Sequence, residues 1–470
     1  MSVGGVNPKP PIFGFRGIID AMKSKFLLTA FAASAALAVS AAAPKYVFLF
    51  IGDGMSTPQR MTADEFARAS GHGHLVMNTF PHQATTRTCS ASSLVTDSAA
   101  AATAIACGTK TYNGAIGVDT NKQPLVSSAY VAHAAGKKVG IVTTVTICHA
   151  TPAGFYAHRP QRSMSYEIGV DLLNSGFEYF AGGGLDGQNN KTNSADYCGD
   201  LYKIAPEKGY RLVENKADFL ALKPGCGKVW FKACPGYMQF SLDADGSEPT
   251  LAEMTAKGAE LLDNPNGFFM MVEGGKIDGA GHGNDAAPNM RDVLALDEAV
   301  KVALKWMEQH PETLVIVTGD HETGGMTMGF AGTGYQFFMD RLARQKCSTG
   351  AFDGKLKQAA KAAEKGGGEF TFADATALLS AWYGFIFDES SKDPMAVTKA
   401  ERAELEKAFK AKKLSDAARR LMSAKAGVGW TSGSHTSLPV LTTAKGLNAE
   451  VFSGFMENTD ISLRLKAMYK

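Results

Sequence analysis

The chain carries almost no net charge: 48 Lys and Arg stand against 46 Asp and Glu, a formal +2 over 470 residues. It also lacks a basic stripe interleaved with aromatics, so nothing marks a nucleic-acid-binding face. Internal repeats and low-complexity tracts are absent, which excludes a solenoid and a long disordered region. Cysteine is scarce. Seven residues cannot all pair with one another, so at least one thiol is free or intermolecular. Cys226 and Cys234 are spaced to close a short loop, with Cys198 nearby, and the connectivity stays open. Cys148, beside His149, reads as a buried thiol rather than a ligand.

A bilayer-spanning run is missing near the N-terminus. The apolar stretch Phe26 to Val39 falls short of the ~20 residues that cross a membrane. Lys23 and Lys25 precede it and Ala41-Ala42-Ala43 follows, the pattern of an export signal with its cleavage site. No Cys lies beside it to carry a lipid, so no stable membrane anchor is expected. Residues 1–43 are therefore read as an N-terminal extension and signal peptide, with the mature protein periplasmic or secreted. Residues 1–21 are atypical ahead of such a signal, and Met22 is a candidate start. Export implies an oxidising compartment.

What is present is a large apolar fraction, 45%, in short strand-like runs that end in metal-ligating residues. Gly267-Phe-Phe-Met-Met-Val272 has the length and composition of a strand buried on both faces. It leads through a glycine-rich turn into Glu273-Gly-Gly-Lys-Ile-Asp278-Gly-Ala-Gly-His282. Carboxylate, carboxylate and imidazole suit a hard or borderline divalent cation. One such segment alone could equally be a polar loop that holds a His. Repetition decides between them. Lys45 to Ile51 ends in Gly52-Asp53-Gly54, Thr313 to Thr318 in Gly319-Asp320-His321-Glu322, and Val139 to Val145 in Cys148-His149-Ala-Thr151. Four apolar strands ending this way describe an α/β protein: an open central sheet flanked by helices on both faces, its site at the strands' carboxyl ends.

Length by itself suggests about three domains. The strand-end residues from Asp53 to His321, with a further candidate at His435, must converge to act, so residues 44–470 are read as one catalytic domain. Helices are expected over 124–138, 163–174, 250–263 and 291–310, with Thr250 and Glu253 as a capping box. In the last of these, Val293, Leu296, Val300 and Leu304 form a face for the sheet. Between about 331 and 430 the composition turns rich in Lys and Ala, and this segment reads as a helical insertion, notably over 397–425. A solvated elaboration is favoured over a lid or dimer contact, and whether its tip reaches a substrate is left open. Asp243-Ala-Asp245-Gly246 is rejected as a calcium loop because its glycine comes too early.

A second segment carries a nucleophile candidate. Asp97 is placed to cap an alanine-rich helix that Gly108 ends. Ser98 then lies in the first turn, where free backbone N–H groups and the helix dipole favour an anion. Such a Ser is usually only a cap neighbour. Among metal ligands it becomes a nucleophile candidate, because a cation stabilises its alkoxide.

These motifs together resemble the alkaline phosphatase family: Gly52-Asp-Gly-Met55, Asp97-Ser-Ala99, His149-Ala-Thr-Pro-Ala153, Arg162, Glu273 to His282, Thr318 to Gly325 and Gly433-Ser-His435. The resemblance implies two Zn2+ and one Mg2+ per chain. Asp278, His282 and His435 match the ligands of one zinc; Asp53, Asp320 and His321 match those of the second. Asp53 also reaches toward a magnesium completed by Thr151 and Glu273. Ser98 matches the residue that becomes phosphorylated, and Arg162 the one that grips the phosphoryl oxygens of a small-molecule phosphate monoester. The planar guanidinium suits that bidentate contact better than Lys. Family members are commonly homodimers, so a second copy is an implied partner.

Two departures from the family pattern stand out. His149 occupies a position held by Asp or His, near the magnesium without necessarily binding it, and zinc is an alternative occupant there. Gly279 replaces the larger Lys, His or Trp that often follows Asp278, which implies a more open site and a weaker hold on phosphate. The alternatives to a phosphomonoesterase are a phosphodiesterase of the same superfamily and a non-catalytic metal- or phosphate-binding homologue. Ser98 and Arg162 argue against the first; competent residues at every matched position argue against the second.

Overall fold

In the computed structural model, residues 43–189 and 195–469 are described. The export-signal reading lies almost wholly outside them. Among the described residues no helix is long and apolar enough to cross a membrane.

Each apolar run becomes a strand. The central sheet contains β1 (Tyr46–Gly52), β2 (His82–Arg87), β3 (Lys138–Thr146), β4 (Tyr179–Gly183), β5 (Tyr210–Val213), β6 (Lys228–Lys232), β7 (Phe268–Gly274), β8 (Thr313–Gly319), β9 (Val440–Gly446) and β10 (Gly454–Glu457). Their spatial order is β10-β2-β9-β8-β1-β7-β3-β4-β6-β5. The contiguous block from β8 to β5 is parallel, while β9 runs antiparallel to β2 and β8. Residues alternate between two cores along β1. Tyr46, Phe48 and Phe50 enter one, and Val47, Leu49 and Ile51 the other. A strand with both faces buried needs no polar alternation, which is why these runs are continuously apolar.

The helices cover both faces. On the first, Met254 and Ala259 of α2 (Leu251–Leu262) and Val293, Leu296 and Val300 of α4 (Ala286–Gln309) pack into the Phe48 core. On the second, Ala99 and Ile105 of α1 (Ser98–Cys107) join the Val47 core. Asp97 caps α1 by accepting from the Ala100 N–H, and Gly108 ends it with φ 74°. Thr250 and Glu253 form the capping box expected at α2.

Five expectations need correction. The segment after β7 is not an open turn: Lys276–His282 forms a short helix, α3, which puts Asp278 and His282 on one face four residues apart. The helix expected over 124–138 spans only Ser128–Ala134, because Pro124 and Leu125 pair with the backbone of Val118 and Gly117. Helix α4 begins earlier, at Ala286. The stretch 397–425 is two helices, α7 (Lys399–Lys410) and α8 (Leu414–Ala426), broken where Lys412 adopts φ 56°. With α5 (Thr349–Lys365) and α6 (Phe372–Tyr383) they make most of the 331–430 segment. That segment is not merely solvated, since Phe352, Leu379, Leu405 and Met422 continue the Phe48 core.

Register then sets the site. Gly52 of β1 lies opposite Gly274 of β7 and Gly319 of β8. All three strands therefore end at one level, and Asp53, Glu273 and Asp320 leave it side by side. Glycine is required at 319: a Cβ there would lie 2.1 Å from the carbonyl oxygen of Met55.

Candidate active site

The carboxyl ends of β1, β3, β7 and β8 bring together every site residue named from the sequence. Ser98, in the first turn of α1 and only 2% exposed, places its Oγ 3.1 Å from Nε2 of His321. The same Nε2 lies 3.4 Å from Asp53 Oδ1 and 3.3 Å from Asp320 Oδ2. Thr151 donates to Asp53 Oδ2 at 3.3 Å. His149 Nδ1 stands 3.8 Å from Asp53 Oδ2 and 3.9 Å from Glu273 Oε1.

His435 arrives from a different kind of element. His435–Thr436 pairs antiparallel with Glu322–Thr323 just past β8. Its Nε2 lies 3.2 Å from Nε2 of His282 and 3.6 Å from Asp278 Oδ1, while His282 Nε2 is 3.3 Å from Asp278 Oδ2.

Three groups of ligand atoms converge here: Asp278, His282 and His435; Asp53, Asp278 and His321; and Asp53, His149 and Glu273. Asp278 takes the place of Asp320 in the second group, yet Asp320 Oδ2 is close to His321. Asp278 thus lies between two groups, with its Oδ1 also accepting from Thr323.

A family model described as alkaline phosphatase matches residues 44–470. The chain belongs to the alkaline phosphatase family. Alkaline phosphatase 3 of Bacillus subtilis is 31% identical over 378 residues, covering 78% of this chain and 76% of its own. Among solved structures, the cold-active alkaline phosphatase of the psychrophile Shewanella sp. superposes with a TM-score of 0.78 at 30% identity, covering 90% of this chain and all of that one. The Thermus thermophilus alkaline phosphatase gives 0.74 at 26% identity, with 92% of each chain covered. The activity is accordingly metal-dependent hydrolysis of phosphate monoesters.

The residues of this chain fit the cations that such activity needs. Nδ1 of His282 faces the Gly433 carbonyl at 2.8 Å, and Nδ1 of His435 faces the Thr96 carbonyl at 2.9 Å. A carbonyl only accepts, so each Nδ1 carries a proton and Nε2 is the ring nitrogen left to face Asp278 and a cation. These two nitrogens, 3.2 Å apart beside Asp278, are placed to share a cation. Deeper in, Asp53 Oδ1, Asp320 Oδ2, Glu273 Oε1 and His149 Nδ1 are buried without a hydrogen-bond partner. Two carboxylates about 4 Å apart repel by about 4 kcal/mol at an effective dielectric near 20, so this cluster is costly without counter-ions.

At the outer group the hydrogen bond to Asp278 pushes His282 up to about 9, so a cation there would displace a proton. The inner groups titrate in the direction a buried carboxylate cluster requires. Burial, then Asp320, Asp278 and Glu273, pushes Asp53 well above the usual carboxylate range. Burial likewise raises Asp320. Burial, then His435, holds His321 neutral by pushing it well below its ordinary value.

Arg162 is fixed from two sides. Its Nη1 donates to Asp97 Oδ2 at 3.2 Å, and Nη2 lies 3.1 Å from His149 Nε2. The holding role of Asp97 was missed in the sequence, where it reads only as a cap. Thr323 was missed too, although it bonds Asp278 and lies 3.2 Å from Nδ1 of His321. Glu322 accepts from Gln59, from the Gly325 and Met326 N–H groups and from Thr436, and so ties the His435 strand down. Both residues stand inside the quoted Thr318-to-Gly325 motif, but a motif does not say which member braces which. Cys148 is a buried thiol, as expected, and all seven cysteines, Cys226 and Cys234 included, are unpaired.

Proposed function

We propose that this chain hydrolyses small-molecule phosphate monoesters through a phosphoserine at Ser98. The carrying observation is the 3.1 Å approach of Ser98 Oγ to His321 Nε2, at the meeting point of the ligand groups. Asp278, His282 and His435 would hold one zinc, and Asp53, Asp320 and His321 a second. Asp53, Thr151 and Glu273 would hold a magnesium, with His149 beside it. In support of the last, a form of the alkaline phosphatase from the Antarctic bacterium TAB5, with a histidine replaced by aspartate, binds Mg in its M3 site. When bound, such cations neutralise the attacking and leaving oxygens and lower the pKa of a water.

The chain's own groups do the rest. The Ser98 Oγ proton passes to solvent, and the oxygen attacks phosphorus in line as the bond to the alcohol oxygen breaks. The departing alkoxide takes up a proton from water. The Arg162 fork, held by Asp97 and His149, orients the non-bridging oxygens through the transfer. A water then attacks the phosphoserine, cleaves its P–O bond, and returns Ser98 with inorganic phosphate released. Residues 44–470 form the catalytic domain on this reading, and the N-terminal apolar run directs it to the periplasm or beyond.

The test is turnover of p-nitrophenyl phosphate with zinc and magnesium supplied, together with intact-mass detection of a phosphorylated protein after acid quench. Ser98→Ala should lose both the turnover, by at least about 10³-fold, and the phosphoprotein peak. Equal turnover in Ser98→Ala would remove the nucleophile assignment. A higher rate on a phosphate diester than on the monoester would favour the phosphodiesterase reading.

A further inference from the structure

The buried end of the site and its open end differ sharply. Ser98, Asp53, Asp320 and His321 are at most 2% exposed, whereas the His282 side chain is 43% exposed. An in-line transfer sends the departing oxygen away from the buried Ser98, and the open end where it can leave is the one His282 borders. Immediately beyond His282 lies a cavity of about 370 Å³. Gly279 and His282 of α3 form one wall. Gly350, at the start of α5, Asp416 and Arg419 of α8, and Phe240 also line the cavity. The 331–430 segment thus supplies five of the twelve lining residues.

That segment is fixed rather than swinging. Asp285, three residues past His282, accepts from the Thr349 N–H and Oγ1, each at 2.7 Å, and from Gln345 Nε2 at 2.8 Å. Arg419 Nη1 donates to the carbonyl of Asn284 at 3.3 Å. Both ties anchor the helical segment to the residues that directly follow the candidate ligand.

Its chemistry is mixed donor and acceptor. Arg419 has five N–H donors and spends one on Asn284 and one on Asp416, 3.3 Å away. The remaining donors and the half-exposed Asp416 carboxylate match paired hydroxyl groups, which both donate and accept. An aliphatic chain would leave these groups without partners, at a cost. The volume is at the small end of ligand pockets.

Resting on the phosphomonoesterase reading above, we propose that this cavity is a leaving-group subsite for a polyhydroxylated alcohol of single-sugar size, read by Arg419 and Asp416. Hexose phosphates are then favoured over alkyl phosphates of equal chain length.

The experiment measures kcat/KM for hexose 6-phosphate and for n-hexyl phosphate, and compares their ratio among variants. The wild-type ratio should exceed one. Arg419→Met keeps the stem and removes the donors, and should lower the ratio at least fivefold. Gly350→Phe should do the same by filling the cavity. A Cβ at Gly350 meets only Ser348 Oγ, at 4.0 Å, so the backbone accepts the change. If Arg419→Met does not fold, Asp416→Ala replaces it at a half-exposed position. A wild-type ratio at or below one overturns the proposal, as do unchanged ratios in both variants. A fall in Gly350→Phe alone shows volume without hydroxyl recognition and also overturns it. Failure of the wild type to hydrolyse either ester would instead count against the Ser98 reading.

Discussion

Arg162 reaches the carboxylate of Asp97 with a 3.2 Å hydrogen bond to Oδ2, while Oδ1 of the same group caps the helix that begins at Ser98. One side chain therefore positions both the candidate nucleophile and the phosphate clamp. Asp97→Ala should raise the inhibition constant for inorganic phosphate about three- to tenfold, the scale of one lost positioning hydrogen bond. It should also cost about 1 kcal/mol of stability through the cap. Asp97→Asn keeps a cap acceptor and separates the two effects. Phosphate inhibition and thermal melting of both variants check this, and an unchanged inhibition constant in Asp97→Ala would count against the positioning role.

Gly279 offers room for the side chain that its relatives commonly carry. A Cβ built there meets only Phe240 Cζ, at 3.9 Å, and the residue has no positive φ. Gly279→His should therefore fit without strain and supply a hydrogen-bond donor near the phosphate. The inhibition constant for phosphate should fall severalfold, about 1 kcal/mol of added binding. A constant that stays the same or rises would show that the open position has no bearing on phosphate hold.

The buried carboxylates should make the stability of the fold depend on cations. Removing them leaves Asp53, Asp320 and Glu273 with unpartnered oxygens in a buried cluster. At a free metal concentration of about 10³ times the dissociation constant, one bound ion stabilises by about 4 kcal/mol. At about 2–4 °C per kcal/mol for a large domain, chelation should lower the melting temperature by about 10 °C. Zinc and magnesium together should restore it. Calorimetry with and without chelator tests this, and a melting temperature insensitive to both would contradict the reading.

Legibility from sequence followed the range of the interactions involved. Strands β1, β3, β7 and β8 were plain because both of their faces are buried, which writes continuous apolar runs into the chain. Asp53, Glu273 and Asp320 were plain because they follow those runs directly. Helix α3 was hidden by Gly279 and Gly281, which locally suggest a turn; packing against α4 and the Thr323 strand overrides that preference. The break between α7 and α8 was hidden because Lys412, not a glycine, takes the left-handed conformation. Phe240 and Arg419 carry no local signal at all, since only tertiary packing brings them beside His282.

His149 stands between Asp53 and Glu273 and also touches Arg162 through Nε2. An imidazole favours zinc, whereas a carboxylate favours magnesium. His149→Asp should shift the occupancy of this third position, so that the magnesium-to-zinc ratio in purified protein rises severalfold after equilibration with both metals. Elemental analysis reads this directly, independent of turnover. An unchanged ratio would place His149 outside the metal's reach.

Asp292 gives a test of stability away from the site. It is buried on α4, accepts from the Ser241 N–H and Oγ–H through Oδ1, and leaves Oδ2 without a partner. Burial pushes its carboxyl up to about 7, against the opposing hydrogen bonds from Ser241. In the unfolded chain the same group ionises near 3.8. Between those values the unfolded state has released its proton while the folded state keeps it, so rising pH favours unfolding. The stabilising contribution is thus complete below about pH 4 and gone above about pH 7. Asn at 292 does not titrate and still accepts from Ser241. The melting temperature of Asp292→Asn relative to wild type should therefore climb between pH 5 and pH 8. A difference that stays constant over that interval would mean the carboxyl is already ionised in the fold at pH 5, with its charge met by the Lys276 ammonium.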